Sequence, residues 1–301
     1  MRNSCLCIVF VGVLCSTPAT AQEATVLEAL LRARIAQDTG TVAVVFRDPG
    51  RRQEVQIDAH RRYHAASTMK IPVLVELARR VDAGELRWDA TLTVHNEFRS
   101  IVDGSPYRLD PADDSDSTLY ALEGRDVPLS RLARLMITRS SNLAANLILA
   151  RLDPARVNAT AHLLGADSIA ILRGVEDGRA YERGLNNTTT ARDLANLLDA
   201  IATGRAASSG STDSIRTILL GQEFNDGIPA GLPAGVPVAH KTGEITAVAH
   251  DAAIVFPPGR GPYILVILTR GYPERTTAAR LMADLSALVY RWATTRPDPH
   301  E

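Results

Sequence analysis

The chain has 301 residues, 46% hydrophobic and 22% charged, an ordinary globular balance with enough length to bury a large core. A formal net charge of −1 and a pI near 6.7 leave no electrostatic footprint for nucleic acid or an anionic membrane surface. The three cysteines, Cys5, Cys7 and Cys15, all lie near the N-terminus, so the rest of the chain has no thiol for a disulfide, a nucleophile or a thiolate-bound metal.

The first residues read as a secretory signal. Arg2 supplies the positive end, Leu6 to Cys15 the short apolar core, and Ala19-Thr20-Ala21 an A-x-A cleavage site. The apolar run is too short to span a bilayer. The expectation is an exported, periplasmic protein that begins near Gln22 and is not held by a membrane after cleavage.

TVAVVFRD, residues 41–48, has the β-branched character of a buried strand, and the following segment returns towards Ser67. From Ser67 the period turns helical, with Val73, Leu74, Leu77, Ala78 and Val81 on one face and Gly84 as the stop. Pro72 is tolerable only near a helix start, which places Ser67 at or near the first turn and Lys70 one turn on, on the same face. Residues 129–139, 142–152 and 189–204 carry helical periodicity. VPVAHKTG, AHDAAIVFPPG and PYILVILTRG read as three successive strands, and residues 274–295 as a closing amphipathic helix.

Strands therefore sit at both ends of the chain, with helices between and after them. The economical fold is α+β: one antiparallel sheet built from N- and C-terminal strands, flanked by helices, with an inserted all-α lobe. The expected organisation is a signal over 1–21 and one catalytic domain over 22–301. Its sheet lobe covers about 22–65 and 210–301, and its helical lobe about 66–209. A monomer is the default expectation.

The chain uses 33 basic residues, and only Lys70 and Lys241 are lysine. Lysine differs from arginine in one chemical respect that matters here: its ammonium gives up a proton when its surroundings lower the pKa. Lys70 follows Ser67 in an S-x-x-K spacing, where it can serve as the base that a serine hydroxyl needs to become a nucleophile. Lys241 opens K-T-G, residues 241–243, on a late strand, and Ser140-Ser141-Asn142 lies between two predicted helices. Each motif alone is weak. A serine and an asparagine two apart usually only cap a helix. The three in this order match the set of the penicillin-recognising serine enzymes.

Over nearly the whole chain beyond the signal, the sequence resembles the class A serine β-lactamases. YERGLNN supplies Glu182, Leu185 and Asn186 in the E-x-x-L-N spacing of that family. The resemblance implies the following roles. Ser67 attacks a β-lactam carbonyl, Lys70 takes or relays its proton, and Ser140 passes a proton to the leaving nitrogen. Asn142 contacts the substrate amide, while Lys241, Thr242 and Gly243 bind its carboxylate side. The N–H groups of Ser67 and Glu244 form the oxyanion hole. Glu182 and Asn186 hold the deacylating water, and Asn146 braces their loop. No cofactor and no metal are implied. No H-x-H or H-E-x-x-H spacing joins the seven histidines.

The departures from the family are specific. Ser141 stands where the family has an aspartate that orders the turn. Glu244 places a charge directly after K-T-G. Residues 100–120 read as an insertion at the rim, and LDPADDSDS within it reads as a solvated acidic loop without a calcium-loop spacing. Glu176 competes with Glu182 for the water but lacks the x-x-Leu-Asn that follows Glu182. These departures keep alternatives open: a D-Ala-D-Ala peptidase or esterase on the same scaffold, or a non-catalytic penicillin-binding sensor.

Overall fold

The computed structural model of the protein describes residues 19–295. The expected signal segment before residue 19 lies outside the described residues. Helix α1 (Ala19–Ile35) leads into strand β1 (Thr41–Asp48) and β2 (Gln53–Ile57). A 3₁₀ turn at Ala66–Met69 opens α2 (Lys70–Asp82). The helical part continues through α3 (Leu129–Thr138), α4 (Asn142–Leu152), α5 (Pro154–Leu163), the short α6 (Gly178–Glu182), α7 (Ala191–Ala202) and α8 (Ser209–Leu220). The chain then forms β3 (Val238–Ile245), β4 (Val248–Val255), β5 (Tyr263–Arg270) and α9 (Arg275–Thr294).

The five strands make one antiparallel sheet in the order β2-β1-β5-β4-β3. The N-terminal hairpin thus pairs with the last strand, and β3, which carries Lys241-Thr242-Gly243, is left as an edge. Both sheet faces are covered, which explains the near-continuous apolar runs of β1 and β5. Val42, Val44 and Phe46 face one core with Leu27, Leu31 of α1 and Leu281, Leu285 and Val289 of α9. Ala43 and Val45 face the other, larger core beneath the helices.

Helix α2 is buried on nearly all sides from Lys70 to Ala78, rather than along one stripe. It runs through the middle of the helical part and packs on α4, α5 and α8. A central position of this kind fixes its N-terminal turn against the sheet, and Ser67 is on that turn.

One tight backbone crossing locks the C-terminal helix. Gly231 ends a 3₁₀ turn (Ile228–Gly231) against α9. A Cβ there would lie 2.0 Å from the Ala283 carbonyl oxygen and 2.9 Å from the Ala287 amide. Backbone cannot swing aside as a side chain can. Gly231→Ala is therefore expected to lower the thermal midpoint by roughly 5–10 °C, the overpacking cost for a domain of this size. A melting curve by circular dichroism checks it.

Candidate active site

Ser67 sits in the 3₁₀ turn, just after Ala66, whose backbone is left-handed at φ 45°. The turn places Lys70 one residue into α2 with its side chain fully buried. Lys70 Nζ lies 3.0 Å from Ser67 Oγ, 2.6 Å from the Ser140 carbonyl oxygen, 3.2 Å from Ser140 Oγ and 2.9 Å from Asn142 Oδ1. Burial pushes the Lys70 amine down to about 7, while the Asp114 and Glu176 carboxylates pull it back up. Near neutral pH much of the amine is unprotonated. Its lone pair is then within reach of the Ser67 hydroxyl proton. An arginine at this position would remain charged.

Ser140 reaches Lys70 because its backbone turns left-handed, at φ 57°. Ser141 is the N-cap of α4, and its hydroxyl accepts from the Ala144 amide. On the sheet side, Lys241 and Gly243 share one face of β3 by its period of two. That face meets the serine turn. A Cβ on Gly243 would lie 3.1 Å from the Ser67 amide and 3.0 Å from that of Thr68. Glycine there lets the strand and the turn approach closely, and brings the backbones of Ser67 and the Gly243–Glu244 step together. Lys241 is fully buried, with Nζ donating to the Thr242 carbonyl at 2.9 Å. Burial and the neighbouring Lys70 hold its pKa well below the ordinary lysine value.

Ser67, Ser140 and Gly243 border a cleft of about 130 Å³ that also reaches Thr242, Glu244 and Arg275, with the Lys70 and Lys241 side chains buried behind it. The Glu244 carboxylate does not face the cleft uncompensated. It pairs with Arg275 Nε at 2.9 Å, and Arg275 NH2 pairs with Asp226 at 2.8 Å. His250, also at the cleft, accepts the Thr269 amide on Nδ1, so its Nε2 donates to the His64 carbonyl at 2.9 Å. Burial lowers it to about 4, so it is a neutral strut. His240 pairs with Asp251 at 2.9 Å across β3 and β4. Both histidines tie strands to their neighbours.

The structure places the two expected water-holding residues, Glu182 and Asn186, away from the cleft. Glu182 is exposed at the last residue of α6, and Leu185 beside it is exposed as well. Asn186 Oδ1 accepts from Arg173 NH2 at 2.9 Å and takes no part in the cleft. Glu176 is instead tied to the Lys70 network: its Oε1 accepts from Asn142 Nδ2 at 2.7 Å. Asn142 thus bridges Lys70 and Glu176 with the two ends of its amide. Burial is the main cause that raises the Glu176 pKa, and Asp114 adds to it.

The reason lies in how the loop is tied. Its base is closed by Arg173 and Asn187: the Arg173 guanidinium donates to the Leu185 carbonyl at 2.8 Å, and Asn187 Nδ2 donates to the Arg173 carbonyl at 2.9 Å. Asn146 pins both the amide and the carbonyl of Val175, at 2.7 and 3.0 Å. Asp177 accepts from the Ser100 hydroxyl and the Ile101 amide of the rim. Glu176 is held between these two anchored neighbours, in a left-handed conformation at φ 64°. The residues after it turn outward into α6 and carry Glu182 away.

A correction concerns the acidic rim loop. Asp110 and Asp113 are solvated, but Asp114 and Asp116 are buried. Asp116 accepts from Arg139 at 3.2 Å. Asp114 reaches the N-terminus of α4, where its carboxylate accepts the amides of Asn142 and Leu143.

A model of the beta-lactamase enzyme family matches residues 25–293. Among curated relatives, the carbapenem-hydrolyzing beta-lactamase KPC of Klebsiella oxytoca is 27% identical over 246 residues, covering 79% of each chain. A beta-lactamase of Streptomyces albus G is 30% identical over 152 residues, covering 49% of this chain and 48% of its own; the match thus spans about half of that relative. Among solved structures, PBP-A superposes with a TM-score of 0.78 at 26% identity, over 90% of this chain and 97% of that one. A point mutant of PBP-A, solved as an acyl-enzyme complex with penicillin G, gives 0.77 at 27% identity, over 92% and 97%. The fold is also that of an ancestral class A beta-lactamase, with a TM-score of 0.77. With a family model covering most of its length and the three serine-enzyme motifs gathered at one cleft, this chain belongs to the beta-lactamase enzyme family.

Proposed function

We propose that this protein hydrolyses β-lactams through a serine acyl-enzyme. The observation that carries the reading is the continuous chain Ser67–Lys70–Asn142–Glu176, each link within hydrogen-bond distance. The unprotonated Lys70 amine takes the Ser67 hydroxyl proton as Oγ attacks the lactam carbonyl carbon. Developing negative charge on the carbonyl oxygen is met by the Ser67 and Glu244 amides. The lactam C–N bond breaks, the nitrogen takes the Ser140 hydroxyl proton, and Lys70 returns a proton to Ser140. Thr242, on the cleft wall with the Lys241 amine buried behind it, offers a hydroxyl donor to a substrate carboxylate. Glu176 then takes a proton from water as its oxygen attacks the ester carbonyl; the C–Oγ bond breaks, Oγ takes a proton back, and Ser67 and the Glu176 carboxylate are regenerated.

Glu176 favours a hydrolase over a sensor or a peptidase, since neither of those needs fast release of a lactam adduct. The penicillin G adduct of the PBP-A mutant supports acylation on this scaffold. The N-terminal signal pattern supports export to the periplasm as one domain over 22–301.

The test mixes purified protein with nitrocefin and follows turnover by absorbance and adducts by intact mass. Sustained turnover is expected, and loss of both turnover and adduct in Ser67→Ala. A stable adduct with no turnover in the unaltered protein would favour the sensor or peptidase. Neither signal would remove the lactam reading and bring esters forward as substrates.

A further inference from the structure

We propose that Asp114, carried by the rim loop, is the positioning residue that holds the Ser140-Ser141-Asn142 turn in its reactive shape. The proposal rests on Ser67, Lys70 and Ser140 being the reacting groups, as argued above.

The geometry is that of a carboxylate built into a helix start from a distant loop. Asp114 is buried, with 8% of its surface exposed. Its Oδ1 accepts the Asn142 amide at 2.9 Å and the Asp116 amide at 3.1 Å. Its Oδ2 accepts the Leu143 amide at 2.9 Å and the Tyr120 hydroxyl at 2.9 Å. Burial and the adjoining carboxylate raise the Tyr120 pKa, so the phenol stays a donor. Two of the first amides of α4 thus receive a full negative charge from outside the helix, where its dipole favours one. Ser141, the local N-cap, supplies only a neutral hydroxyl to Ala144. The turn holds Ser140 in a left-handed conformation that an L-residue does not adopt cheaply, so something must over-determine it. Asp114 fixes the residue two positions on. Ser115, the next residue, borders the cleft itself.

A carboxylate here acts on Lys70 as well as on the turn. The charged groups that face Lys70 are Asp114, Glu176 and Lys241. The first two favour its protonated form, and Lys70 in turn lowers the pKa of Lys241. Removing the Asp114 charge while keeping a hydrogen-bond acceptor should lower the Lys70 midpoint. A residue that merely caps α4 would affect folding stability and leave that midpoint alone.

The chain makes the measurement direct, because it has only two lysines. In protein labelled with ¹³C at the lysine ε position, Lys70 and Lys241 give two resonances, assigned with Lys241→Arg. In Asp114→Asn the Lys70 midpoint is expected to fall by about one pH unit. In the same variant kcat/KM on nitrocefin should drop by roughly tenfold or more, with its acid limb moved to lower pH. The double variant Asp114→Asn, Ser141→Asp returns a carboxylate to the start of α4, at a position where aspartate caps well. It should restore both readings towards those of the unaltered protein. An unmoved Lys70 midpoint in folded Asp114→Asn, with only the melting temperature lowered, would overturn the proposal. So would a folded double variant without recovery. The resonance is read without substrate, so the proposal stands or falls separately from β-lactam turnover.

Discussion

Glu176→Gln is expected to convert the enzyme into one that acylates and stops. The amide cannot take a proton from water, and loss of a general base costs on the order of 10²–10⁴ in the step it serves. In the proposed mechanism acylation depends on Ser67, Lys70 and Ser140, and should proceed. A stoichiometric adduct carrying the whole mass of the substrate should then persist in intact-mass spectra, whereas the unaltered protein should carry none once the substrate is consumed. Glu182→Gln should turn over within about twofold of the unaltered protein, since that carboxylate is exposed at the end of α6. The opposite pattern, a trapped adduct in Glu182→Gln and free turnover in Glu176→Gln, would return the role to Glu182.

In the proposed mechanism the same carboxylate sets the acid side of deacylation. Burial raises the Glu176 pKa above the ordinary carboxylate value, because the charged form loses solvation. A general base works only when unprotonated. Deacylation should therefore fall as pH drops through this raised pKa, earlier on acidification than a solvated glutamate would allow. Single-turnover decay of the adduct at a series of pH values reads it.

The two glutamates show what can be read from the sequence and what cannot. Ser67, Lys70, Ser140, Asn142 and Lys241 are legible because each lies in a short motif whose spacing is set by one helical turn, one helix cap or one strand. The sheet is legible too, since β1 and β5 have the apolar runs of strands buried on both faces, and β3 and β4 follow in succession between turn signals. Glu182 is the expectation because E-x-x-L-N is a local pattern, and local patterns do not say which way a loop is pinned. The signals for Glu176 are non-local. They are Arg173 three residues before it, whose guanidinium closes the loop base, and Asn146 in a helix 30 positions upstream, bound to Val175. Asp114 is hidden for a similar reason. An acidic run reads as solvated, and nothing local shows that one member of it turns inward to two amides 28 and 29 positions away.

Lys70→Arg is expected to stop acylation itself, by about 10³-fold or more, although the positive charge is kept. The guanidinium stays protonated in a site where the lysine amine sits at about 7. Stopped-flow acylation as a function of pH separates this from a steric effect. In the unaltered protein the rate should rise through pH about 7 as Lys70 loses its proton, and fall close to tenfold per unit below it. A rate that stays level well below that pH would mean that the ammonium form is active, and that Glu176 is the base in acylation as well as deacylation.

The same pKa carries a stability consequence with a definite sign. Lys70 titrates near 7 in the fold and at 10.5 in the unfolded chain, so between these values the unfolded state holds the extra proton. Stability then rises with pH across that window. Lys70→Met removes the contribution while leaving Lys241 in place. The stability of the unaltered protein relative to Lys70→Met should therefore climb from pH 7 to pH 10, as measured by urea unfolding. A difference that is flat over this range would show that Lys70 is not deprotonated by its burial, and the lysine would lose its claim to be the base.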